Sequence, residues 1–88
     1  MFTVRWKRSA RDELAALWTR ADSAMRQAIT SASDEIDRRL VRDPANLGES
    51  READARVGFV FPLAVRFEID ATRSVVRVLQ VWSFRRRS

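Results

Sequence analysis

Residues 64–82 read AVRFEIDATRSVVRVLQVW, and their alternation decides the fold. From Ala64 to Ile69, an extended chain puts Val65, Phe67 and Ile69 on one side and Arg66 and Glu68 on the other, which is the period-two pattern of a strand with one covered face. Asp70 to Ser74 is short and polar, as a tight turn between antiparallel strands requires. Val75 to Trp82 is apolar on both sides apart from Arg77 and Gln80, which predicts an interior strand. Upstream, Pro62 marks a tight connection. Arg56 to Phe61 forms a further strand with Val57, Phe59 and Phe61 on one face and Arg56, Gly58 and Val60 on the other. The polar segment Arg51 to Ala55 is a candidate for one more short strand after the loop Asn46 to Ser50.

The first half has a different period. Phe2, Val4 and Trp6 alternate with Thr3 and Arg5, which predicts a short half-buried strand. Ser9 with Asp12 three residues on reads as a helix start, the acids Asp12 and Glu13 falling in the first turn. Ala10, Leu14, Leu17, Trp18 and Ala21 then share a helical face, so Trp18, like Trp6, is expected in the core. Asp22 caps a second helix whose apolar face is Met25, Ala28, Ile29, Ala32, Ile36 and Leu40. Asp43-Pro44 ends it, because the residue before proline is driven out of helical conformation. The whole is an α+β two-layer sandwich in which a helical hairpin packs on a small, mainly antiparallel sheet, as a single domain over residues 1–88.

Composition narrows the chemistry. The chain has no cysteine or histidine and no tyrosine, so disulfides, zinc knuckles, thiol nucleophiles and the commonest general base at neutral pH are excluded. No metal or other cofactor is expected. Of 17 basic residues only Lys7 is a lysine, and the net charge is +5. Arginine offers phosphate and carboxylate a planar fork, so a basic domain of this kind suits nucleic acid or an acidic partner. A GC-rich genome produces the same bias toward arginine. No apolar run approaches the ~18 residues of a membrane helix, and Arg5, Lys7, Arg8 and Arg11 interrupt any secretory signal; the expected location is the cytoplasm.

The layout resembles the RelE/ParE superfamily of toxins from bacterial type II toxin–antitoxin systems. The resemblance lies in a first strand ending Val4-Arg5-Trp6 and in Ala10 and Leu14 of the first helix. It continues through Ala28-Ile29, the helix stop Leu40-Val41-Arg42-Asp43-Pro44 and Gly48-Glu49-Ser50-Arg51. It closes with the strands Val65-Arg66-Phe67-Glu68-Ile69-Asp70 and Val76-Arg77-Val78-Leu79-Gln80-Val81. It implies a toxin silenced by a cognate antitoxin. RelE-like members cleave mRNA in the ribosome by attack of the RNA 2′-OH on the adjacent phosphate; ParE-like members inhibit DNA gyrase without known cleavage chemistry.

RNA cleavage requires cations on the scissile phosphate, a proton acceptor and a proton donor. Arg56 stands where RelE-like members often place a strand cation, and Arg85 lies near their basic C-terminal stretch. Leu63 stands where they commonly carry arginine, and their C-terminal tyrosine or histidine is absent. Glu68 beside Arg66 reads as a base or, more simply, as half of a ladder ion pair. The ParE-like reading asks only for the fold, a basic surface and a binding end, which Arg85-Arg86-Arg87 supplies. The candidate contacts to a target or to nucleic acid are therefore Arg51, Arg56, Arg66, Arg85, Arg86 and Arg87, with Arg56 and Arg85 expected on the side away from the core. Trp82 and Phe84, spaced two apart on the expected face of Val76 and Val78, are candidate antitoxin contacts. Leu63 and the missing tyrosine and histidine also suit a degenerate interaction module that keeps the fold without toxicity.

Overall fold

Two strands joined by a polar turn, β4 (Leu63–Asp70) and β5 (Val75–Ser83), pair antiparallel and supply the sheet side of the core. The computed structural model describes residues 1–52 and 55–85, without the side chains of residues 49–52. Around the β4–β5 pair the chain runs β1 (Thr3–Trp6), α1 (Arg8–Arg20), α2 (Ser23–Arg42), α3 (Pro44–Leu47), β2 (Gly48–Glu52) and β3 (Ala55–Val60). The strands form a five-stranded sheet in the order β1-β5-β4-β3-β2, antiparallel except for the parallel β1–β5 pair. The sandwich has the expected layers: α1 packs mainly on β5, and α2 touches β1, β3 and β4.

The core sits between that helical layer and one face of the sheet. Phe67, Leu63, Val65, Val76 and Val78 from the sheet meet Ile36 and Leu40 from α2, all of them fully buried. Ile29, Ala32, Ile36 and Leu40 face inward as their spacing requires, whereas Met25 at the start of the stripe is exposed. Phe2, Val4 and Trp6 pack against this core from β1.

Helix starts and stops divide by mechanism. Asp22 caps α2 as expected, its Oδ1 accepting the Met25 backbone N–H at 2.8 Å. Ser9 does not cap α1. The Lys7 N–H donates to the Val78 carbonyl at 2.9 Å, and the helix begins at the next residue without a side-chain cap. Asp12 and Glu13 consequently fall beyond the first turn. Asp43-Pro44 ends α2, yet the chain turns once more as α3, with Pro44 at its first position where no backbone N–H is needed. The expected loop from Asn46 to Ser50 is thus the end of α3 and the start of β2, and Ala55 belongs to β3.

Gly58 marks a close approach, not a bulge. A Cβ built there would lie 2.7 Å from Leu47 Cγ and 3.0 Å from the Leu47 carbonyl oxygen, so only glycine lets α3 settle on β3. Gly58→Ala is expected to lower unfolding free energy by about 1–3 kcal/mol through overpacking, with an unchanged denaturant slope. Urea unfolding followed by tryptophan fluorescence checks this; an unchanged midpoint would mean that α3 moves aside freely.

Candidate functional site

The helices cover one face of the sheet and leave the other open. Register assigns each side chain to its face. Phe67, Val65 and Leu63 point to the helices, and their partners on β3 are Arg56, Gly58 and Val60. The open face therefore receives Val57 and Phe59 from β3, and Ala64, Arg66 and Glu68 from β4. This reverses the expected place of Arg56. Its guanidinium lies on the helix side, with long 3.4 Å contacts to the carbonyl oxygens of Ala45 and Gly48 around α3. Leu63 is fully buried on that same side.

Strand β5 changes face partway along. Arg66 pairs with Gln80 but Phe67 pairs with Val78, so Leu79 is an extra residue and the alternation shifts by one. Val76 and Val78 point inward before the shift, and Val81 points inward after it. Trp82 is thereby placed opposite to the face of Val76 and Val78, contrary to its expected position, in one row with Ala64 and Phe59. Trp82 and Phe59 are 39% and 51% exposed, while Ala64 between them is fully buried. Phe84 packs edge-to-face against both Phe59 and Phe61, with ring centroids 5.4 and 5.6 Å apart, and its N–H donates to the Pro62 carbonyl at 3.0 Å. Arg85, exposed, follows directly.

The open face is thus divided. Its upper end is aromatic, built by Trp82, Phe59, Phe61 and Phe84; its middle carries Arg66 and Gln80; its lower part carries Glu68, Arg77 and Arg5 in register across β4, β5 and β1. Of the expected contact residues, Arg66 lies at this surface, Arg85 is exposed just beyond the end of β5, and Arg56 lies on the helix side. Arg51 belongs to β2 by its backbone, but its side chain, like Arg86 and Arg87 altogether, lies outside the described residues. Phe59 and Phe61 were missed as surface groups because their side of β3 is the more apolar one, which ordinarily turns inward. Among the described residues no cluster of acidic side chains is arranged to hold a metal ion. Among the described residues no helix is long and apolar enough to cross a membrane.

A second concavity lies between the helices. Leu14, Ala15 and Trp18 of α1 face Ile29, Thr30, Ser33, Asp34 and Asp37 of α2 across a groove of about 510 Å³ that also includes Trp6 and Arg11. Trp18 is a wall of this groove and not a core residue: it is 43% exposed, and the Arg26 guanidinium stacks 4.4 Å from its ring. The same guanidinium donates to the Trp18 and Thr19 carbonyls at the end of α1, at 3.0 and 2.9 Å, tying the hairpin together. Trp6 Nε1 donates to Asp37 Oδ1 at 2.8 Å and fixes that carboxylate at the groove edge. Further along α2, hydrogen bonds from Arg38 and then Arg39 hold the Glu35 carboxyl below its ordinary pKa.

No protein-family model matches the chain, and no curated protein matches it. Solved structures do. A chain of the toxin–antitoxin complex RelBE2 from Mycobacterium tuberculosis superimposes with a TM-score of 0.73 at 21% identity, covering 94% of this chain and 91% of that one. A chain of the chromosomal ParDE toxin–antitoxin system of P. aeruginosa gives 0.72 at 14% identity, covering 97% and 98%. The isolated E. coli RelE toxin gives 0.63 at 16% identity, covering 99% and 88%. The chain has the RelE/ParE toxin fold over nearly its whole length.

Replacing Phe84 by leucine keeps an apolar side chain on the hairpin but removes both edge-to-face contacts. Phe84→Leu is expected to cost about 1 kcal/mol and to lower the melting temperature by roughly 4–8 °C. A thermal melt followed by circular dichroism measures it; an unchanged melting temperature would mean that the rings contribute no more than their area.

Proposed function

We propose that the protein is the toxin of a type II toxin–antitoxin pair. It arrests growth by binding a macromolecular target through the open sheet face, in the ParE-like mode with DNA gyrase as the target. The observation that carries the non-catalytic reading is the placement of two strand positions. Arg56 is turned under α3, and Leu63 is buried in the core. RelE-like members often place a strand cation at the first of these positions and commonly carry arginine at the second; here the second is apolar and buried, and the first contacts the α3 backbone. Arg66 on the open face and the exposed Arg85 just beyond β5 are the binding groups beside exposed aromatic rings, which suits recognition better than phosphate cleavage.

A cognate antitoxin neutralises the toxin by occupying its surface. The groove between α1 and α2 suits the apolar face of an amphipathic helix, with Trp18 as anchor. An acidic segment of the same antitoxin covers the aromatic end around Trp82 and Phe84 and pairs with the neighbouring arginines, which excludes the target by competition.

Inducing the protein in a bacterial host while following growth, mRNA integrity and DNA supercoiling tests this. The expected result is arrest with intact mRNA and disturbed supercoiling. Arrest with mRNA cut within codons would establish a ribonuclease instead, and no arrest at good soluble expression would establish a non-toxic interaction module. Arg66→Gln with Arg85→Gln is expected to weaken target binding about tenfold or more, by loss of two charge-assisted contacts, and to relieve arrest. Arg56→Gln is expected to leave arrest unchanged. A toxic double variant with native circular dichroism would remove Arg66 and Arg85 from the binding surface.

A further inference from the structure

The rim of the groove between α1 and α2 carries charge that the chain itself does not neutralise. At the end away from the hairpin turn, Asp34 and Asp37 stand on the α2 side and Arg11 on the α1 side. Trp6 Nε1 holds one oxygen of Asp37 at 2.8 Å, and the other oxygen takes no bond among the described residues. Asp34 is exposed, and its carboxylate has neither a hydrogen bond nor an ion pair among the described residues. The cation best placed on α2 to pair with Asp34 is Arg38, one turn further on, yet Arg38 and Arg39 both turn to Glu35, at 2.8 and 3.0 Å. Arg11 also makes no ion pair among the described residues, so the charges of the two walls stay apart. On a chain of net charge +5, the α2 rim is a place where the sign reverses.

Toward the hairpin turn the lining is apolar. Trp18 stands there with Arg26 stacked on its ring, and Leu14, Ala15 and Ile29 lead on to the charged end. Small side chains on both rims, Ala15 and Thr19 against Thr30 and Ser33, let a helix settle between them. From Trp18 to Arg11, α1 rises ~10 Å, about two turns. A helix lying in the groove with an apolar side chain against Trp18 therefore brings a residue about two turns along its axis to the level of Asp34 and Asp37. Two carboxylates without cations attract a base at that level and repel an acid. We propose that Asp34 and Asp37 recognise a basic residue on the antitoxin helix, about two turns from the apolar side chain that meets Trp18. That role rests on the antitoxin reading of the groove and adds what distinguishes a cognate helix from another of similar hydrophobicity. A partner drawn by the net positive charge is acidic overall, so the need for one base at one level fixes the register of its helix.

The probe is a ribosome-displayed library of helical peptides of about 18 residues, long enough to span the groove, selected on the purified full chain. Leucines are fixed along one face, and each flanking position is Lys, Glu or Gln. Selected peptides are expected to share a lysine at one flanking position near one end and to lose binding to a natively folded Trp18→Ala protein. In the synthetic peptide, changing that lysine to glutamate is expected to weaken binding about tenfold, read by fluorescence anisotropy. Asp34→Asn with Asp37→Asn removes both charges and keeps an acceptor for Trp6; on that protein the same change is expected to matter less than about twofold. Arg11→Gln is expected to leave the preference for lysine in place. A tenfold preference that persists on the asparagine double variant, or glutamate or glutamine selected at every flank, would overturn the role of the two aspartates. Selection of no peptide, or full binding to Trp18→Ala, would overturn the groove as a helix site. A dimer in light scattering that Trp18→Ala disperses would assign the groove to a second copy of the chain instead. None of these readouts involves growth, so arrest on induction tests the toxin reading separately, and failure here leaves that reading standing.

Discussion

One extra residue in β5, opposite the Arg66–Phe67 step of β4, determines what the molecule presents to a partner. Without it, continued alternation would carry Trp82 to the side of Val76 and Val78 and turn Val81 outward. With it, the strand fills the core with Val81 and sends Trp82 to the open face, in line with Phe59. The bulge also coincides with a change of neighbour. Parallel pairing with β1 reaches only Val78, so beyond that point β5 loses its ladder on one side. Glu13 of α1 replaces the missing strand there, its Oε1 accepting the Val81 N–H at 3.1 Å. A helix carboxylate thus closes an edge that would otherwise expose unpaired backbone.

The two concave surfaces follow from how the helices are anchored. Because α1 starts directly after the last bond of β1 to β5, it lies along β5, while α2 runs over β1, β4 and β3. The groove with Trp18 lies between the helices, and Arg26 ties their ends together. The other side of the sheet receives no helix, and there the cations and rings are left to solvent or to a partner. Helical groove and open face lie on opposite layers of the sandwich.

Much of the fold was legible because its signals are local. Val65, Phe67 and Ile69 alternating with Arg66 and Glu68, the Asp22 cap and the Asp43-Pro44 stop each specify their element within a few residues. The site was less legible because a face is a tertiary property. On β3 the more apolar side, Val57 with Phe59, is the open one, since the packing of Leu47 against Gly58 fixes which way the strand turns. Arg56 follows that choice to the helix side. Parity along β5 misplaced Trp82, because nothing in Val-Leu-Gln-Val reveals which residue is the extra one. Trp18 fits the helical stripe by spacing but lies at its margin, where the diverging helices leave it half uncovered.

The pairing of β1 with β5 joins the first described strand to the fifth, leaving β1 without a neighbour in the sheet until β5 has been made. Contacts of such long sequence separation form late, because loop closure must precede them. During synthesis, therefore, the nascent chain has helices and a partial sheet but no Arg5–Arg77 row and no aromatic end. The full open face exists only once β5 is in place between β1 and β4, so a growing chain lacks it until β5 is clear of the ribosome.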